Sequence, residues 1–287
     1  MKTKLMNAVA NNDLDSLKEV LTEIKNMTGE ALYKAVYNNN TKSAEALIQA
    51  GADTTSFVNY RGWTVLHLAA EKKIGKEIHQ ALIETSTNLD VQSLNGWTPL
   101  MIASQYEQKE EFIAKLIENG ANHDMQNRDG RTALMIACQN KECFENVSML
   151  IEKGANLDIQ DDEKKETALM VAIRHGLLHQ VQELIMGGAD LNLVDHENNS
   201  ILMIALKCKQ QRIASYLIIK GVDVLIKDSE GLDAYNYVMK KGDLKLAHMI
   251  EESVKKQLAK RKVATHNSVQ QSIRSGQIKE GQLTKSE

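Results

Sequence analysis

One phrase constrains this chain more than anything else in it: Asn95-Gly96-Trp97-Thr98-Pro99-Leu100-Met101-Ile102-Ala103-Ser104. Gly96 suits a turn that needs positive φ, Thr98 suits a helix N-cap, and Pro99 suits the first helical position. Leu100 and Ala103 then begin an apolar helical face. The phrase recurs: the cap-competent residues Thr64, Thr98, Thr132, Thr167, Ser200 and Asp233 are 34, 34, 35, 33 and 33 residues apart. A period of this length belongs to a stacked array of supersecondary units.

Two further registers keep step. Leu82, Leu116, Leu150, Leu184, Leu217 and Ile250 follow at 34, 34, 34, 33 and 33 residues. Closing turns recur at Gly51-Ala52-Asp53, Gly120-Ala121-Asn122, Gly154-Ala155-Asn156, Gly188-Ala189-Asp190 and Gly221-Val222-Asp223, where glycine suits the residue after a helix. Each unit therefore reads as a turn, a short helix, a second turn, a longer helix and a closing turn. No single unit can bury its apolar face alone, so neighbours must share one core.

With those registers in place, Gly62-Trp63-Thr64-Val65-Leu66-His67-Leu68-Ala69-Ala70 resembles the ankyrin signature, Gly-x-Thr-Pro-Leu-His-x-Ala-Ala. The resemblance extends over roughly residues 3–254 and implies an all-α repeat solenoid: stacked helix-turn-helix ankyrin repeats with β-hairpin-like finger loops, about eight units including caps. It divides the chain into an N-terminal capping repeat (1–27) and repeats over 28–228, with units beginning near 28, 61, 95, 129, 163 and 196. A C-terminal capping repeat with an extended helix (229–262) follows, then a disordered polar and basic tail (263–287). The chain departs from the pattern in places. Only His67 holds the signature histidine, which in the family ties neighbouring turns together; Met101, Met135, Met170 and Met203 replace it. The fingers at 161–166 and 196–199 lack the turn glycine and are expected to be the least regular. Thr85-Ser86-Thr87-Asn88 replaces a closing glycine turn.

Composition narrows the function. A single proline and 4% aromatics argue against a β-sandwich or barrel, and three cysteines with no spaced framework point to a reducing compartment. The first ten residues hold no signal-peptide core and no stretch is long and apolar enough for a membrane span, so a cytoplasmic protein is expected. The net charge of −3 divides into +6 over residues 255–287 and −9 over the rest, a balance that argues against a nucleic-acid-binding body.

Little chemistry is expected. His175 and His179 are four apart, but Gly176 between them breaks a shared helical face, so a surface or structural role is the reading. Cys138 replaces a small core alanine and reads as a buried inert thiol. Phosphate-loop and nucleophile-elbow motifs are missing from the sequence, and its acids fall at turns and caps. We therefore expect a non-enzymatic protein with no catalytic residues, no metal site and no cofactor.

Binding would sit on the fingers and the groove beside them, at Tyr60, Arg61, Trp63, Leu94, Trp97, Tyr106, Arg128 and Arg131. Trp63 and Trp97 occupy one register of adjacent repeats, outside the core positions. Trp, Tyr and Arg dominate interface hot spots, although the same tryptophans could serve only to pack neighbouring fingers. Later repeats carry Glu166, Arg174, His175, Asn199, Lys207 and Lys241 at comparable positions. The expected function is a protein–protein interaction scaffold or adaptor. The alternative is a structural part of a large cytoplasmic assembly, such as a cytoskeletal or axonemal lattice, whose basic tail contacts an acidic surface.

Overall fold

A computed structural model describes residues 2–21, 28–56 and 59–274, and every regular element among them is a helix. The chain divides into two compact units, 1–196 and 197–287. The first holds six helix pairs: α1 (Lys2–Asn11) with α2 (Leu14–Leu21), α3 (Thr28–Tyr37) with α4 (Thr41–Gln49), α5 (Val65–Glu71) with α6 (Lys76–Thr85), α7 (Pro99–Gln105) with α8 (Glu110–Glu118), α9 (Ala133–Ala137) with α10 (Phe144–Glu152), and α11 (Ala168–Arg174) with α12 (Leu178–Met186). The second holds α13 (Ile201–Lys207) with α14 (Gln211–Lys220), and α15 (Ala234–Lys241) with α16 (Leu244–Arg274).

The cap register starts the short helices as the spacing requires. The side chains of Thr98, Thr132, Thr167 and Ser200 each accept from the backbone N–H three residues on, at 3.2, 3.3, 3.3 and 3.3 Å. Asp233 does the same for Asn236 at 2.9 Å. A lost cap of this kind costs about 1 kcal/mol. Leu82, Leu116, Leu150 and Leu184 in the first unit, and Leu217 and Ile250 in the second, are all fully buried. Truncating any of them to alanine removes about 2–5 kcal/mol.

Fingers join neighbouring repeats through the main chain. Within the first unit the Leu94, Arg128, Asp162 and His196 N–H groups donate to the carbonyls of Arg61, Asn95, Asp129 and Lys164, at 2.9–3.2 Å. Ser229 donates to Glu197 at 2.8 Å in the second unit. A glutamine ladder runs alongside: the Nε2 groups of Gln92, Gln126 and Gln160 each donate to a carbonyl of their own finger and to one of the next. The approach is so close that a Cβ on Gly130 would lie 2.4 Å from the Asp162 nitrogen.

The irregular fingers keep this scheme by other means. Lys165 (φ 55) and Asn198 (φ 60) take the left-handed conformation that glycine supplies elsewhere. Asp161 Oδ1 accepts from the Lys164 and Glu166 N–H groups, so the extra residue is absorbed inside the turn. Where the closing glycine is missing, the Thr85 and Ser86 hydroxyls donate to the Ala81 and Leu82 carbonyls at 2.7 and 2.6 Å and cover the end of α6.

The expected disordered tail from residue 263 needs correction. Helix α16 continues to Arg274, so residues 263–274 are helical; residues 275–287 lie outside the described residues. Ion pairs of Lys255 with Glu251 and Glu252 support the middle of that helix.

His67 differs from its methionine counterparts. Its Nδ1 accepts from the Thr64 N–H at 3.1 Å, and its Nε2–H donates to the Trp97 carbonyl of the next finger at 3.0 Å. Met101 reproduces the first contact weakly, its sulfur 3.5 Å from the Thr98 nitrogen, but a thioether has no proton to send onward. The backbone bonds between fingers persist without it.

Two outcomes follow for stability. Gly130→Ala adds a backbone clash to a positive φ of 76°, whereas Gly154→Ala meets only its φ of 86° in open space. Gly154→Ala should cost about 1–2 kcal/mol and Gly130→Ala clearly more, read from urea unfolding. Burial holds the His67 imidazole down to about 4, against an ordinary value of 6.5. Below pH 6.5 the unfolded chain binds a proton that the folded chain refuses, so stability falls as pH drops through the window from 6.5 to about 4. The loss is on the order of 3 kcal/mol at the bottom of that window. His67→Met should be less stable than the parent at pH 7.5, and the difference should shrink and reverse toward pH 4.5.

Candidate functional site

The fingers at 59–63 and 93–97 and the C-terminal ends of α5 and α7 enclose a surface cavity of about 540 Å³. Tyr60, Arg61, Trp63, Leu94, Trp97 and Tyr106 all line it. Tyr60 is 83% exposed and Leu94 55%, while both tryptophans are half-buried. Trp63 stacks on the His67 ring at 6.3 Å, so it serves packing while it also lines the cavity. The Arg61 guanidinium lies 5.3 Å from the Trp63 ring and 5.7 Å from the Tyr60 ring. Such cation–π contacts at an exposed site are worth about 0.5–1 kcal/mol.

Glu71 supplies the cavity's carboxylate, and the Tyr106 hydroxyl donates to it at 3.4 Å. Burial, then the Glu71 charge, raises the Tyr106 phenol above its ordinary value. Sequence reasoning missed Glu71 and Gln105, which also line the cavity. Both close a short helix, 34 residues apart, so the repeat register itself marked them.

Arg128 and Arg131 fall outside this cavity. Arg131 Nε lies 3.7 Å from Asp161 Oδ2, and the Asp161 carboxylate is wholly buried. Arg174 hydrogen-bonds the buried Glu166 through Nε at 2.6 Å and reaches Asp195 at 3.9 Å. In the second unit Lys207 pairs with the buried Asp228 at 3.2 Å, and Lys207, Tyr237 and Lys241 share a separate cavity of about 480 Å³. Cations on the later fingers and short-helix ends thus answer buried carboxylates. His175 is the C-cap that follows α11, while His179 belongs to α12 and sets its ring edge-on against Phe144 at 5.2 Å. Cys138 is fully buried, and burial pushes its thiol far above the ordinary range.

The sequence model of ankyrin repeats matches residues 5–93, 73–161 and 145–228, most of the chain. The chain belongs to the ankyrin-repeat family. Among solved structures it is similar to the ankyrin repeat domain of Bcl-3, a member of the IkappaB protein family. The two share 22% identity with a TM-score of 0.62, over 82% of this chain and 92% of that one. At that identity the likeness speaks for the fold. No protein of curated function matches. Ankyrin repeats are in general protein–protein interaction modules. Among the described residues, no helix of this ankyrin-repeat chain is long and apolar enough to cross a membrane.

Because Asp161 Oδ2 accepts no hydrogen bond among the described residues, Arg131 is its nearest compensation. Arg131→Ala should destabilise the chain by about 2 kcal/mol in urea unfolding, and Arg131→Lys should recover part of that loss.

Proposed function

We propose that this chain is a non-catalytic scaffold that holds a protein partner in the early-repeat groove, between the fingers at 59–63 and 93–97. The observation that carries the reading is the clustering of Tyr60, Trp63, Trp97 and Tyr106 in one open cavity. Only 4% of this chain is aromatic, yet four of those rings gather there. Exposed aromatic patches are costly to keep in water and usually mark contact surfaces. Rings with few rotatable bonds bury much area for little lost freedom, which makes them hot-spot residues. Arg61 and Glu71 flank the rings with one charge of each sign, so orientation of the partner segment would come from charge and affinity from the rings. The fingers and helix ends behind them are fixed by main-chain bonds, and a preformed surface loses less entropy on binding.

Trp63→Ala with Trp97→Ala should weaken partner capture at least roughly tenfold, as hot-spot truncations do. Circular dichroism should show the helical content retained. A partner held equally well by the folded double variant would remove this groove as the site.

A further inference from the structure

A third cavity, of about 170 Å³, lies where α6 and α8 begin, and four lysines line it: Lys73, Lys76, Lys109 and Lys115. His79 and Phe112 form part of its wall, and Glu111 is the only carboxylate among the lining residues. Glu111 is paired with Lys76. With His79 neutral, the lining residues sum to +3, and Glu77 and Glu110 in the adjoining first turns, with Glu71 near Lys109, offset part of that charge. The first turns beside it bring backbone N–H groups that the helix itself does not satisfy, and neither Gly75 nor Lys109 supplies a side-chain cap.

Lys109 is the informative member. It is only 4% exposed, and its Nζ donates to the carbonyls of Ala69 (at 3.5 Å) and Lys72, where α5 ends. Burial first, and the Lys73 charge second, depress its ammonium to about 8. His79 Nε2 meets the same Ala69 carbonyl at 3.0 Å, and burial depresses that imidazole as well.

Later repeats perform the same covering job with neutral amides. Asn146 Nδ2 donates to the Tyr106 carbonyl and Gln180 Nε2 to the Asn140 carbonyl, at 2.7 and 2.8 Å. The three covered carbonyls, Lys72, Tyr106 and Asn140, are spaced 34 and 34 residues apart. A charge at 109 is therefore surplus to holding the helix end, and burying it beside Lys73, with Glu71 as a partial offset, is costly. An ammonium also has a third N–H beyond the two carbonyls it serves.

We propose that this lysine pocket is an anion site that takes a dianionic phosphate group, free or as a monoester. Two negative charges answer the clustered ammonium groups more fully than a lone carboxylate does. Lysine binds phosphate as a compact point charge with rotatable donors. The site stands independently of the aromatic groove. It nevertheless adjoins that groove along the chain, since Lys73 follows Glu71 by two residues and Gln108 follows Tyr106 by two.

The test is an amide-resolved NMR titration of the full chain with sodium phosphate, against sodium chloride at equal ionic strength. Phosphate should give saturable shifts at Lys76, Glu77, Glu110 and Glu111. Lys109→Gln, which keeps a donor for the helix end as Gln180 does, should weaken them roughly tenfold through one lost charge-assisted bond. The surface variant Lys73→Gln/Lys115→Gln should weaken them as well without touching the core. A phosphoserine tetrapeptide that binds more tightly than inorganic phosphate assigns the ligand to a phosphorylated chain; the reverse order assigns free phosphate, and either keeps the site. Phosphate shifts no larger than those of chloride, or shifts unchanged in both variants, overturn it.

Discussion

Within the first unit, everything rests on how closely one finger approaches the next. The main-chain bond from Arg128 to Asn95, or from Asp162 to Asp129, sets the distance between repeats, and the helices behind can share a core only at that distance. Each unit on its own would leave an apolar face in water, so inter-repeat registration and burial are one event. The glutamines at 92, 126 and 160 reinforce it by satisfying carbonyls on both sides of the three gaps that follow the 93–97 finger. At the opposite ends of the short helices, Lys109, Asn146 and Gln180 meet the last carbonyls of the preceding repeat. Both rims of the stack are thus closed by hydrogen bonds that no single repeat can make.

That same closeness decides where charge can go. Asp161, Glu166 and Asp195 in the first unit, and Asp228 in the second, are buried carboxylates. Asp161 and Asp228 earn their burial by accepting finger N–H groups. Each then needs a cation nearby, and Arg131 and Lys207 answer two of them. The later repeats consequently spend these charged side chains on internal pairing. The two early fingers carry tryptophan in the corresponding register and leave an aromatic surface. The difference between a finger that answers a buried carboxylate and one that leaves an aromatic surface comes down to one position before the cap residue.

The two proposed sites lie on the same pair of repeats. Short helices α5 and α7 end at the aromatic cavity through Glu71 and Tyr106, and the turns that follow them enter the lysine pocket through Lys73 and Gln108. A surface that offers rings on one side and ammonium groups on the other suits a segment with an apolar anchor next to an anionic group. His67, whose ring backs Trp63 and bonds the Trp97 carbonyl, ties the two fingers of this region more firmly than methionine does elsewhere.

Periodicity alone was enough to determine the all-helical repeat fold, the cap residues and the core leucines, because those positions answer to local rules: a cap oxygen three residues from an orphan N–H, a side chain every turn facing the neighbour. It also placed Trp63, Trp97, Tyr60 and Tyr106 in useful registers. Tertiary structure decided what those registers meet. Arg131 has the same register as the tryptophans, yet a buried Asp161 from the next finger claims it. Glu71 reads as an ordinary helix-end acid until Tyr106 arrives across the groove. Lys109 occupies the register of Cys143 and Leu177, an oddity visible in the sequence, but only the fold gathers three more lysines around it. Residues 263–274 lack a clear apolar period, and their helix extends one already begun at Leu244. Propagation adds a bond per residue without the cost of a new nucleus, and no reading of that stretch by itself contains that fact.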